Sequence, residues 1–289
     1  MKVQRRFVYT QTRLQARHGM RPDERTWRQL EAQSELASYL QVARQTGLRP
    51  WVITLHAHDS HHLLESTLLR LYRSYIDEVA HWQPRPWQPA VQWLTILMDL
   101  PTLQHLLTGN TARPWMADDT QLKAFTLSNV EQRIQAMQDS PYAPLLQGWQ
   151  AGQNLEQAWL THWQKLWPEQ KPSANATLLA LLQTLQEHRD QFLHAGAAQA
   201  WPLRTMLTKR LSILFRRHSY QPATAFIHLA LVALDMERLR GDIIQRRLFP
   251  PRAAADETTG QTATPPTASQ PSTSQPAASS VTDTHEAQV

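Results

Sequence analysis

An internal repeat constrains this chain more than any other feature. Residues 50–72 and 141–163 align without a gap at an offset of 91 residues. Pro50-Trp51 followed by Leu55 matches Pro141-Tyr142 followed by Leu146. Leu64-Glu65 followed by Leu69 matches Leu155-Glu156 followed by Leu160, and Tyr72 matches Trp163. Each copy reads as a Pro-aromatic helix start, a short connection and an amphipathic helix opening with Leu-Glu. Such a unit cannot bury its apolar face alone, so the copies must pack together. A multi-lobed helical body is expected.

Composition agrees. With 8 glycines in 289 residues, no β-branched alternation and an abundance of Leu, Gln, Ala and Arg, the chain has the make-up of helices. The expected class is all-α, a multi-lobed bundle of about ten helices built from degenerate repeats. A first helix is expected over 3–18, ending at Gly19. Pro22, Asp23 and Glu24 open a second that ends at Gly47. A short helix follows Pro50. Asp59 is expected to cap a long helix that stops at the rigid run Trp82-Gln83-Pro84-Arg85-Pro86-Trp87-Gln88-Pro89, since proline fixes its own φ and restricts the preceding residue. The next helix is expected over 89–107, interrupted at Pro101. Ser128 and Glu131 read as a capping box, and helices follow at roughly 129–139, 142–152, 155–167, 175–195, 201–217 and 222–248. The expected organisation is a first helical lobe at 1–109, a second region of one or more lobes at 110–249, and a Pro/Ser/Thr/Gln-rich tail at 250–289 too poor in large apolar residues to fold.

The tail carries Arg252 against Asp256, Glu257, Asp283 and Glu286, so the remaining body holds 28 basic and 20 acidic residues, a formal +8. The cations are spread over almost every helix, which reads as a solvated basic surface. No cysteine is present, which excludes thiol catalysis, a disulfide framework and cysteine-ligated zinc. Residues 1–20 hold four arginines and no apolar core, so no secretory signal is expected, and no apolar run is long enough to span a membrane.

No phosphate-binding glycine loop, G-x-S-x-G elbow or H-E-x-x-H pair occurs. His56, His58, His61 and His62 with Asp59 are metal-ligand types, but Asp59 reads as a helix cap, which favours a polar helix-start loop over a metal site. Trp159, Trp163 and Trp167 line one helix face as core or as a partner-helix contact, and Trp82 and Trp87 are expected to pack against the proline connector. The last helix begins almost wholly apolar. Its second half offers Asp235 to Arg238 and Glu237 to Arg240 as i,i+3 pairs. Arg238, Arg240, Arg246 and Arg247 are the candidate contact for an acidic partner.

Three motif sets resemble the C/d subunit family of V-type ATPases. The opening Tyr9-Thr10-Gln11-Thr12-Arg13-Leu14-Gln15-Ala16-Arg17 resembles that family's tyrosine-and-arginine first helix. Thr46 to Leu55 and Ser140 to Leu146 look like its recurring T-x-Y helix starts, most nearly in Ser140-Pro141-Tyr142. Asp99-Leu100-Pro101-Thr102-Leu103 and Asp235-Met236-Glu237-Arg238-Leu239 look like its acidic-led Leu-rich helices, at an offset of 136. The first repeat has Trp51 where the family tends to have tyrosine. The resemblance spans most of residues 7–248. It implies an all-helical, non-catalytic socket between a rotor stalk and a membrane proteolipid ring, with no catalytic residue, cofactor or metal.

The leading expectation is therefore a coupling subunit in proton or sodium transport. Its partners would be other rotary-ATPase subunits rather than small molecules or nucleic acid. It would be cytoplasmic, reaching the inner or plasma membrane only through its complex. The rivals are a basic helical nucleic-acid-binding protein using exposed tryptophans, and a helical adaptor of another kind.

Overall fold

Prolines and capping side chains cut the chain into helices close to where its sequence signals lie. The computed structural model describes residues 6–168 and 175–250, all within one compact unit at 1–251. The tail beyond 250 lies outside the described residues. These residues form helices and no strand, so the protein is all-α. In order the helices are α1 (Val8–Gly19), α2 (Glu24–Glu31), α3 (Leu36–Ala43), α4 (Arg49–Val52), α5 (His61–Trp82), α6 (Gln88–Gln92), α7 (Leu100–Leu107), α8 (Val130–Gln138), α9 (Ala143–Gln150), α10 (Leu155–Lys165), α11 (Ala176–Leu193), α12 (Ala200–Arg217) and α13 (Ala223–Leu248).

Several boundaries differ from the sequence expectation. The helix expected from Pro22 to Gly47 is broken after Glu31, and the break is held from outside. The Arg246 guanidinium of α13 donates to the carbonyls of Gln33 (2.7 Å), Glu31 (3.3 Å) and Leu30 (3.4 Å), supplying donors to the open end of α2. The helix expected over 89–107 is three pieces, with a 3-10 stretch at Trp93–Asp99 between α6 and α7. Its buried residues Trp93, Ile96 and Asp99 recur every third position, the period at which 3-10 side chains share a face. Pro101 interrupts nothing, because it stands in the first turn of α7, where a missing N–H costs no helical bond.

Two caps sit one residue later than expected. Ser60, not Asp59, caps α5 by accepting from the Leu63 amide at 3.2 Å, while Asp59 accepts from the His56 amide at 2.8 Å and closes the preceding turn. Asn129, not Ser128, caps α8 by accepting from the Gln132 amide at 3.1 Å. Asparagine caps as well as serine, so the helix starts one residue later and the Asn129 side chain serves the amide of Gln132 in place of that of Glu131.

The repeat survives in the burial pattern, although the copies do not pack together as expected: the first is buried in one apolar cluster and the second in another. Leu55 and Leu146 are both buried, as are Leu64 and Leu155, and Leu69 and Leu160 are both half-buried. The copies differ at their second helix. Leu155 opens α10 directly after its cap Asn154, whereas α5 starts three residues before Leu64 and runs twice as long. The apolar interior forms two clusters. The larger draws on residues from Phe7 to Leu231, and the smaller gathers α2 to α5 around Val232, Met236, Leu239 and Ile243. Each cluster thus takes one half of α13, and Tyr72 and Tyr75 of α5 pack against both. Neither cluster is bounded near residue 109. Trp82, Trp87, Trp159, Trp163 and Trp167 are all buried in the larger one.

Candidate functional site

Two buried carboxylates, Asp99 and Asp235, organise the interior, and each receives an arginine from a segment distant in sequence. Asp99 ends the 3-10 stretch before α7, with its side chain about 1 % exposed. Arg73 of α5 binds it through one guanidinium nitrogen and reaches Asp119 Oδ2 at 3.0 Å through another. The Tyr142 hydroxyl donates to Asp99 Oδ2 at 2.8 Å and lies 3.1 Å from the Gln121 side chain. Burial pushes the Asp99 carboxyl up, against the pull of Arg73 and Tyr142. Burial also acts on Asp119, but there the Arg73 hydrogen bond and the Gln121 and Leu122 amides outweigh it and hold the carboxyl below its ordinary range. Burial, followed by the Asp99 charge, raises the Tyr142 phenol, so it stays a neutral donor.

Asp235 sits in the same way on α13. Arg21, in the turn between α1 and α2, forks onto it with Nε at 2.6 Å from Oδ2 and a terminal nitrogen at 2.9 Å from Oδ1. The same nitrogen lies 3.3 Å from the Leu231 carbonyl. Both side chains are about 12 % exposed, and burial raises the Asp235 carboxyl against Arg21. Gly47 makes this approach possible. A Cβ there would lie 1.8 Å from the Met20 carbonyl oxygen, so the turn after α3 meets the turn after α1 backbone to backbone.

The two junctions use the paired motif positions differently. Tyr142 closes the second onto Asp99. At the first, Trp51 occupies the matching position with no hydroxyl, and its ring meets Tyr75 edge-on at 5.3 Å. An open cavity of about 210 Å³ remains there, lined by Trp51, Tyr75, Arg17, Arg21, Glu78 and Asp235 among others. Behind it Tyr75 Oη lies 2.7 Å from His228 Nε2, and Phe215 stacks on His18 at 4.2 Å. Burial lowers His228 to about 3, with His18 and Arg21 adding to the effect, and lowers His18 to about 4 with Arg21 and Arg216. Both imidazoles are neutral at pH 7.

The residues of the first-helix motif face the end of α5. The Arg13 guanidinium sits over the rings of Tyr9 and Trp82 at 5.5 and 5.6 Å, Arg17 reaches Glu78 at 3.1 Å, and the Thr10 hydroxyl donates to the Trp82 carbonyl.

All four arginines expected to meet an acidic partner are engaged inside the molecule. Arg238 binds Glu31 at 2.5 Å and Glu24 at 3.5 Å and lies between the rings of Trp27 and Trp201, 4.6 Å from each. Arg240 binds Glu65 at 2.6 Å. Arg246 holds the end of α2 and covers the Tyr39 ring at 4.4 Å, and Arg247 donates to the Asp59 carbonyl at 2.7 Å. The expected i,i+3 pairs do not form, because Asp235 is taken by Arg21 and Glu237 by Arg204. These arginines fasten α13 to α2, α3 and α5.

The histidine run forms no ligand set. His58 is largely exposed, His56 and His58 stack at 5.4 Å, and among the described residues no three His, Asp or Glu side chains converge as metal ligands. Of the tryptophans only Trp201 is exposed, at 42 %, so a stacking platform of exposed indoles is not formed by the described residues. No described helix is long and apolar enough to cross a membrane. Sequence reasoning missed the Arg73–Asp99–Tyr142 and Arg21–Asp235 groups as sites, although it had singled out Asp99, Tyr142 and Asp235 as motif residues. Their arginines carried no local signal. Comparison of the chain with protein-family models, curated proteins and solved structures finds no match to any of them.

Proposed function

We propose that the chain is a non-catalytic coupling subunit similar to the C/d subunits of V-type ATPases, linking a rotor stalk to a membrane proteolipid ring in ion transport. One observation carries this reading. The two kinds of motif that suggest the family, the Pro-aromatic helix start and the acidic-led Leu-rich helix, stand 43 residues apart in sequence as Tyr142 and Asp99 and are joined by a buried hydrogen bond. Trp51 and Asp235 line one cavity, with no hydrogen bond between them because an indole at this position lacks the hydroxyl. Short motifs that matched by chance would have no reason to meet in a buried hydrogen bond.

The polar interior supports a mechanical role. The two buried carboxylates, Asp99 and Asp235, are already held by an arginine, and Asp99 by a phenol as well, which stiffens contacts between distant segments. A body cross-linked in this way can transmit force between partners held at different surfaces.

Affinity purification of the tagged protein from native membranes, followed by mass spectrometry, tests the reading. Rotary-ATPase stalk and proteolipid subunits should co-purify in stoichiometric amounts. Their absence from a purification that retains the intact protein would reject the assignment.

A further inference from the structure

The outer face of α12 carries a pattern that the interior does not use. Met206 and Ile213, one heptad apart, are 50 % and 57 % exposed. Seven residues turn an α-helix to within roughly 20° of its starting direction, so the two side chains form one seam. Lys209 and Arg216, also a heptad apart, run along one side of it, and Arg210 and Arg217 run along the other. All four are exposed. The helix contains Arg204, Lys209, Arg210, Arg216 and Arg217 and no acidic residue. Arg210 reaches Glu187 of α11 at 3.3 Å, in a pair nearly half exposed on both sides. Lys209, Arg216 and Arg217 have no carboxylate partner among the described residues. The opposite face of α12 is committed to the core through Leu207, Leu211 and Phe215.

An apolar seam between two rows of like charge is one half of a helix-pairing surface, in which the flanking charges choose the partner. We propose that the outer face of α12 docks an acidic amphipathic helix of a partner polypeptide, whose apolar seam meets Met206 and Ile213 and whose flanking Glu or Asp rows meet Lys209, Arg216, Arg210 and Arg217. Charge decides against a second copy of this helix, since two such faces would set four cations against four. Area decides against a lipid surface, since two half-exposed side chains offer little apolar surface to insert. The docking surface rests on this side-chain pattern alone and does not depend on the rotary-ATPase assignment.

Fluorescence anisotropy with the full chain and a synthetic probe tests it. The probe is a labelled peptide of about three heptads with Leu at the two seam positions and Glu at the flanking ones. Saturable binding is expected, and it should weaken about tenfold or more in Met206→Ser/Ile213→Ser and, separately, in Lys209→Glu/Arg216→Glu. All four positions are exposed, and circular dichroism verifies each fold. If one double variant fails to fold, the other decides. Four results would overturn the proposal: no binding of the probe, equal binding of a scrambled peptide of the same composition, binding unchanged in the folded variants, or binding to phosphatidylserine vesicles in place of the peptide.

Discussion

The Tyr142 hydroxyl donates to Asp99 Oδ2 at 2.8 Å, joining the start of α9 to the 3-10 stretch before α7. Arg73 holds the same carboxylate and Asp119 as well, so one guanidinium is shared by two acids in a nearly dry setting. Tyr142→Phe removes one donor and leaves the ion pair, and should cost about 1–2 kcal/mol. Asp99→Ala leaves Arg73 with Asp119 alone and should cost about 3–5 kcal/mol. Urea denaturation of each variant, read at constant m-value, measures both. A double-mutant cycle over the two positions should give a coupling of at least about 0.5 kcal/mol.

Ion pairs here differ in worth according to their exposure. Arg21–Asp235 is about 12 % exposed on each side, whereas Arg210–Glu187 is nearly half exposed. Asp235→Asn should therefore destabilise by about 3 kcal/mol, because it strips the buried Arg21 of its counter-charge. Glu187→Gln should change stability by less than about 1 kcal/mol. Thermal melts in low and high salt separate the two, since salt weakens only the exposed pair appreciably.

Stability should fall with acid before the carboxylates titrate. His228 is held at about 3 and His18 at about 4 in the folded protein, both below the ordinary 6.5. Below pH 6.5 the unfolded chain binds protons that the folded one refuses, so the stabilisation is complete above that value and is lost as pH drops toward the folded pKa values. For the fully buried His228 the slope approaches about 1.4 kcal/mol per pH unit. At the lower end Asp99 and Asp235 oppose it, because their raised carboxyls take up protons in the folded state first. Urea midpoints at pH 7, 6 and 5 should decline steadily, and His228→Gln should flatten the decline. Equal slopes in the two proteins would contradict this assignment.

Two glycines should respond to alanine with opposite sign. A Cβ at Gly47 meets the Met20 carbonyl at 1.8 Å, while one at Gly241, within α13, meets nothing within 4 Å. Gly47→Ala must push two backbone segments apart and should cost at least about 2 kcal/mol, loosening Arg21 from Asp235. Gly241→Ala should stabilise by about 0.5–1 kcal/mol, as expected when alanine replaces glycine inside a helix. Differential scanning calorimetry of the two variants provides the comparison.

The helical class, the burial of Trp159, Trp163 and Trp167, and the matched burial of the two repeat copies could all be read from the chain. They follow from side-chain periodicity, proline and capping, which act over a few residues. The Ser60 and Asn129 caps escaped by one position, because two neighbouring polar residues are each able to start the helix and only the backbone angles choose between them. Arg238 and Arg240 escaped altogether. Local spacing offered them Asp235 and Glu237, but α2 and α5 bring Glu31 and Glu65 against α13 and win. Sequence thus determined which segments are helices and which faces are apolar. Only the tertiary structure decided which arginine each carboxylate receives, because a long charged side chain pairs with whatever distant helix the apolar packing sets beside it.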